Sequence, residues 1–171
     1  DATDTQIALV ADHKDVADFA IKDGFDRLDL TGHAMKTGFT AEWINADTPR
    51  TSDASGWEHI TTPAALARWE AAWNDKSPSD QRQFPDAILT RPDVALWGRV
   101  SADGYDAGGI ANLSRDCVGL SNVFGSDAFA PLAFLAQDFG DGLPCVGYER
   151  GDDLADAIAA GFVTTGPLRV W

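Results

Sequence analysis

Lysine occurs four times in these 171 residues, glutamate four times, tyrosine and cysteine twice each, and methionine once. These shortages exclude whole classes of function. With 13 basic residues against 27 acidic ones the net charge is −14, so the surface repels phosphate backbones and anionic lipid, which argues against nucleic-acid and membrane partners. Two cysteines cannot build a disulfide framework. Cys117 (in Cys117-Val118-Gly119-Leu120) and Cys145 (in Leu143-Pro144-Cys145-Val146) both stand in apolar runs, where a reduced, buried thiol is expected. No run approaches the ~18 apolar residues of a membrane span, and Asp1-Ala2-Thr3-Asp4 lacks the basic and apolar regions of a secretion signal. A cytoplasmic protein is the expectation. His13, His33 and His59 are scattered rather than set at ligand spacing, so no metal is expected. There is no Gly-x-Ser-x-Gly elbow, no Walker loop and no dinucleotide fingerprint, since Gly108-Gly109 falls inside a strand pattern and not before a helix.

What is abundant points to a packed globule. Hydrophobic residues make up 44% of the chain, with six tryptophans, and a chain of this length buries roughly 70% of its unfolded surface. The acidity suits solubility, and it would also draw cationic substrates such as amines.

Two breaks divide the chain, Asp47 to Gly56 (DTPRTSDASG) and Asn74 to Gln83 (NDKSPSDQRQ). Before the first, Ile7 to Ala11 reads as a short strand, Val16 to Gly24 fits either helix or strand, and Gly38 to Ile44 alternates as a strand does. After it, Thr61-Thr62-Pro63 supplies a cap and a first-turn proline for a helix that puts Leu66, Trp69, Ala72 and Trp73 on one face, read as core packing. A further helical turn over Phe84 to Leu89 ends at Arg91-Pro92. Val94 to Val100, Asp106 to Leu113 and Cys117 to Phe124 then form a meander, turned first at Ala102-Asp103-Gly104, with Gly108-Gly109 marking a bulge or a close backbone approach. Ser126-Asp127 reads as the cap of a helix to about Gln137, Leu143 to Tyr148 as a strand, and Asp152-Asp153 as the cap of a helix stopped by Gly161. Phe162 to Thr165 and Leu168 to Trp171 read as the arms of a terminal hairpin. A strand–helix–strand passage after Cys117 calls for a parallel strand pair with the helix crossing between.

In its order of elements the chain from about Trp57 to Trp171 resembles the GNAT acyltransferase superfamily. "LADAIAAGFVTTG" looks like the superfamily's helix, Gly-Phe stop and following strand. "GGIANLSRDCVGLSNVFG" and "GYERGDDLADAIAAGFVTTGPLRVW" resemble a divergent bacterial group of GNAT-like proteins without an assigned reaction. In that group a block similar to "FAIKDGFDRLDLTGHAMKTGFTAEWI" comes first. The implied fold is α+β, a GNAT-like mixed β-sheet flanked by helices, with an extra N-terminal β-containing block. Residues 1–46 would be that block, packed on the main sheet, and 57–171 the GNAT-like domain.

The resemblance also implies a chemistry, transfer of an acyl group from acetyl-CoA or another acyl-CoA to a small amine. The alternative is a catalytically inactive GNAT-like module binding a small ligand or a protein partner, and oligomerisation is left open. The cofactor arm would lie where two parallel strands splay, against Leu120, Ser121, Asn122, Val123 and Gly125, facing Cys145 to Tyr148, with Gly119 and Gly147 keeping the gap open. The family's phosphate loop, Arg/Gln-x-x-Gly-x-Gly/Ala, corresponds to Val123 to Phe129, which has one glycine, no basic residue and an aspartate at the expected cap. The tyrosine that many members carry four residues before the Gly of Gly-Phe is Ala157 here, and their asparagine near the start of that helix falls at Arg150. Tyr148 would then be the acid and Glu149 the base, although Glu149-Arg150 equally suits a structural ion pair at the start of the helix.

Overall fold

The structure, a computed structural model, describes residues 2–13, 19–33, 35–47, 52–74 and 82–171. Among the described residues four α-helices, α1 (Ala2–Asp12), α2 (Pro63–Trp73), α3 (Phe129–Phe139) and α4 (Gly151–Ala159), accompany one eight-stranded sheet. Its strands are β1 (Lys22–Asp23), β2 (Phe39–Ala46), β3 (Trp57–His59), β4 (Val94–Ser101), β5 (Gly104–Leu113), β6 (Val118–Phe124), β7 (Cys145–Glu149) and β8 (Val163–Val170). They are ordered β1-β8-β2-β7-β6-β5-β4-β3. Every neighbouring pair is antiparallel except β6 with β7, the pair whose connection is the crossover helix α3. The fold is therefore α+β with a mixed sheet. Strand β2, from the N-terminal part of the chain, is hydrogen-bonded between β7 and β8.

Helices cover both faces. Phe129, Leu132, Ala133 and Ala136 of α3 and Ala157 of α4 pack with Ile44, Ala46, Val118, Leu120 and Cys145 on one face. On the other, Leu66 and Trp69 of α2 pack with Ile60, Leu96, Tyr105 and Ile110. Thr62 caps α2 as its sequence predicts, accepting from the Ala65 N–H at 3.2 Å, with Pro63 in the first turn. The Trp69 indole is fully buried, donates to the Trp97 carbonyl at 2.9 Å, and meets Phe84 and Phe124 edge-on. Gly108-Gly109 serves a close approach from both sides. A Cβ on Gly108 would stand 2.4 Å from Trp69 Nε1, and one on Gly109 would stand 2.6 Å from Leu132 Cδ1 of α3.

Several sequence expectations need correction. Ile7 to Ala11 lies in α1 and is not a strand, because a short apolar run carries no usable period. Its partners are set by tertiary packing, with Val10 buried against Leu28, Leu30 and Trp171. The terminal hairpin does not exist. Gly166-Pro167 looks like a turn, yet β8 passes straight through it with a bulge at Thr165, so that Trp43 pairs with Gly166 and Ile44 with Thr164.

The two expected acidic caps also fail. The residue at the start of α3 is Ala128, with no side-chain cap, because Asp127 adopts φ +55°, outside the extended conformation that a capping residue needs. Arg150 takes that place on α4, and Asp152 and Asp153 lie within its first turn. The α4 stop is as expected. Gly161 has φ +105°, the Phe162 N–H reaches the Ala157 carbonyl and the Gly161 N–H reaches Ile158, both at 3.0 Å. Residues 16–18 of the helix-or-strand segment, 48–51 of the first loop and 75–81 of the second lie outside the described residues.

A Gly108→Ala substitution is expected to destabilise the protein by about 1–3 kcal/mol through overpacking, seen as a lower urea midpoint at unchanged slope. Gly119→Ala, whose Cβ would meet only the Asn112 carbonyl at 3.7 Å, should stay within about 0.5 kcal/mol of the parent.

Candidate functional site

Parallel pairing between β6 and β7 lasts for two register positions, Val118 with Cys145 and Gly119 with Val146. The strands are still close one step further on, where a Cβ on Gly147 would come within 3.2 Å of the Leu120 carbonyl. Gly147 therefore permits close approach and does not hold the gap open. Beyond it the strands part. Asn122 sits at φ +52°, and Asn122-Val123 together oppose the single residue Gly109 on β5, a bulge that turns β6 toward β5 and away from β7. The split encloses a cavity of about 210 Å³ lined by Leu120, Ser121, Asn122, Val123, Tyr148 and Glu149. Inside it the Asn122 amide donates to Ser121 Oγ at 3.2 Å.

Six of the seven residues singled out from sequence thus line one cavity. The seventh, Gly125, stands apart at φ +85° in the turn before α3, against the backbone of Asp106 and Ala107, beside a different hollow shared with Trp73 and Tyr105.

Tyr148 and Glu149 are neighbours on a strand and so project to opposite faces of the sheet. Tyr148 belongs to an aromatic layer with Phe39 (ring centroids 6.5 Å apart) and Trp43 (5.7 Å, edge-on), and the Lys22 ammonium lies 4.2 Å above its ring. Among the described residues its hydroxyl has no hydrogen-bond partner.

Glu149 is half-buried on the face that carries α4. Burial, and secondly the charge of Asp153, push its carboxyl up to about 7. Its cross-strand neighbour is Glu42, a like charge that offers no relief. The ion pair with Arg150 is not made. That guanidinium lies 4.6 Å over the Phe39 ring, and no described cation pairs with Glu149. Cys145 is fully buried with its thiol pushed up to about 12 by desolvation, an inert core group, whereas Cys117 is only half-buried.

The region that would receive a diphosphate has the wrong charge. The start of α3 is free of a side-chain cap, which favours an anion, but Pro131 removes one N–H from the first turn. The cavity of about 170 Å³ there is lined by Asp127 and by Asp156, Ala159 and Ala160 at the carbonyl end of α4. Two carboxylates and a helix C-terminus disfavour an anion. The preceding turn is tied down by Arg99, which donates to the Ser126 carbonyl at 3.3 Å and pairs with Asp106 at 2.7 Å. Among the described residues no group of three His, Cys, Asp or Glu side chains is placed to hold a metal, and no helix is long and apolar enough to cross a membrane.

Sequence reasoning missed Lys22, Phe39, Trp43 and Arg99. The alternation of Phe39, Ala41 and Trp43 was visible, but nothing local says that this strand docks beside Tyr148.

No protein-family model matches the sequence, and no curated protein does. Solved structures do match. An acetyltransferase from the GNAT family of Colwellia psychrerythraea superposes with a TM-score of 0.60 at 15% identity, covering 99% of this chain and 71% of that one. A GNAT-family protein of Novosphingobium aromaticivorans gives 0.56 at 11%, covering 79% of this chain and 65% of that one. A GCN5-related N-acetyltransferase from Kribbella flavida gives 0.51 at 16%, covering 82% and 60%. The chain thus spans less than two thirds of the latter two proteins. At these identities the likeness shows the fold, which is GNAT-like.

A carboxyl titrating near 7 in the native protein and in the ordinary range when unfolded binds a proton only in the native state between those values. Stability should therefore fall as pH rises through that window. Glu149→Gln removes this loss, and at pH 8 the variant should be more stable than the parent by on the order of 2 kcal/mol. Denaturant unfolding from pH 4 to 8 checks this; parallel curves for the two proteins would contradict it.

Proposed function

We propose that the protein transfers an acyl group from a thioester donor to a small amine, with the split between β6 and β7 as the reaction centre. The single observation that carries this reading is a carboxyl group raised to about 7 at the open end of a diverging parallel strand pair. A base works best when its pKa lies near the operating pH.

The donor's arm lies between the strands, with Glu149 on one side and Tyr148 on the other. The ammonium first gives one proton to solvent. Its neutral nitrogen then bonds to the thioester carbonyl carbon, a second proton passes from that nitrogen to Glu149 and on to solvent, and the carbon–sulfur bond breaks. The departing thiolate takes its proton from the Tyr148 hydroxyl, which solvent restores. Lys22 over the Tyr148 ring helps to hold that ring in place. The acidic surface raises the local concentration of a cationic amine.

The nucleotide half of an acyl-CoA does not fit. Asp127 and Asp156 stand where its diphosphate would lie, and no step is assigned to it. A second reading, a silent binding module in the same cleft, is favoured by that charge reversal and by buried Ala157, which leaves α4 without a proton donor at that position.

Glu149→Gln is expected to lower kcat/KM for acyl transfer about 10²-fold or more and to abolish a rise in rate through pH 7. At equal concentration acetyl-pantetheine should raise the melting temperature more than acetyl-CoA, and Asp127→Asn with Asp156→Asn should narrow that difference. Stabilisation without turnover would support the binding module, and no stabilisation by either compound would overturn the transfer reading.

A further inference from the structure

Another cavity, of about 480 Å³, is lined by Phe25, Arg27, Trp43, Thr165, Gly166 and Pro167. Its volume is that of a small-molecule site. Trp43 lines this cavity, Tyr148 lines the strand split, and the two rings touch edge-on.

The wall formed by residues 23–28 is built with unusual care for a surface loop. Asp23 is 5% exposed, and its carboxylate accepts from the Leu28 N–H at 2.8 Å and the Phe25 N–H at 3.4 Å. The Trp43 indole donates to the Gly24 carbonyl at 2.8 Å, Asp26 takes φ +50°, and its carboxylate pairs with Arg169 at 2.6 Å. This fixed loop nevertheless leaves Phe25 78% exposed. Among the described residues this ring stacks on no other ring, and with Trp43 and Pro167 it adds apolar surface to the cavity.

Arg27 supplies the polar element. In a chain with 27 acidic residues, both carboxylates nearest to it in sequence are engaged elsewhere, Asp26 with Arg169 and Asp29 with Thr31, whose hydroxyl donates to it at 2.7 Å. Among the described residues Arg27 has no ionic or hydrogen-bond partner. Trp43, Phe25 and Pro167 offer apolar walls, Gly166 at φ +150° keeps one side free of a side chain, and Arg27 offers a planar fork suited to a carboxylate.

We infer that this cavity is a binding site for a small aromatic carboxylate, whose ring lies against Trp43 and Phe25 and whose carboxylate pairs with Arg27. The inference stands independently of acyl transfer.

Three probes of one shape test it: 3-phenylpropionate, 3-phenylpropanol and 3-phenylpropylamine, titrated into the ¹⁵N-labelled full chain. The readout is the Trp43 indole N–H resonance, assigned with Trp43→Phe. The propionate should shift that signal at the lowest concentration and the amine at the highest. Arg27→Gln, an exposed position that should leave folding intact, is expected to weaken the propionate about tenfold and bring it level with the alcohol. Phe25→Ala should weaken both. The inference is overturned if the amine binds as well as the propionate, if Arg27→Gln leaves the propionate's advantage, or if no probe moves the indole signal.

Discussion

The β6–β7 contact is brief by necessity, and the candidate centre follows from that brevity. Two register positions of parallel pairing hold the strands together, and a left-handed Asn122 then commits β6 to β5. Backbone groups that would have continued the ladder are left facing a gap. Tyr148 and Glu149 reach that gap from opposite faces because adjacent strand residues alternate. Glu149 is half-buried because α4 begins two residues later and packs over the same face, and Asp153 in its first turn adds a like charge. One bulge and one helix start together hold a carboxyl group near neutrality in a cavity.

Charge makes the two ends of this region unlike each other. At the split, Lys22 and Arg150 lie over aromatic rings and leave Glu149 uncompensated. At the start of α3, Asp127 and Asp156 occupy the ground where an uncapped helix would otherwise attract an anion. Arg99, which could have offset them, is engaged with Asp106 and the Ser126 carbonyl. Among the described residues, an arginine without an acidic partner, Arg27, is found instead in the lining of the cavity beside Trp43.

Much of the fold was legible because its signals are local and redundant. Thr62-Pro63, the meander of β4 to β6, the Gly161 stop and the crossover before β7 each combine a periodic apolar pattern with a residue of special backbone chemistry. The failures came where a local signal met a competing partner. Gly166-Pro167 reads as a turn in isolation, but β2 on one side of the strand draws it into the sheet as a bulge. Ile7 to Ala11 could be either element until Leu28, Leu30 and Trp171 supplied a surface for one helical face. Asp127 has the chemistry of a cap, and a backbone turned to φ +55° prevents its use.

The sequence by itself determined the class of the fold and the strand pair that must run parallel, while the residues proposed for its opening came from the resemblance to GNAT proteins. The first two depend on spacing and on glycine, proline and apolar periodicity, which act over a few residues. Only the tertiary structure decided that a strand from the start of the chain sits between β7 and β8, and with it the aromatic layer of Phe39, Trp43 and Tyr148. It alone decided also that Glu149 is half-buried and, among the described residues, without a cationic partner. Strand order and burial are set by which distant surfaces fit together, and no local run of residues encodes that choice.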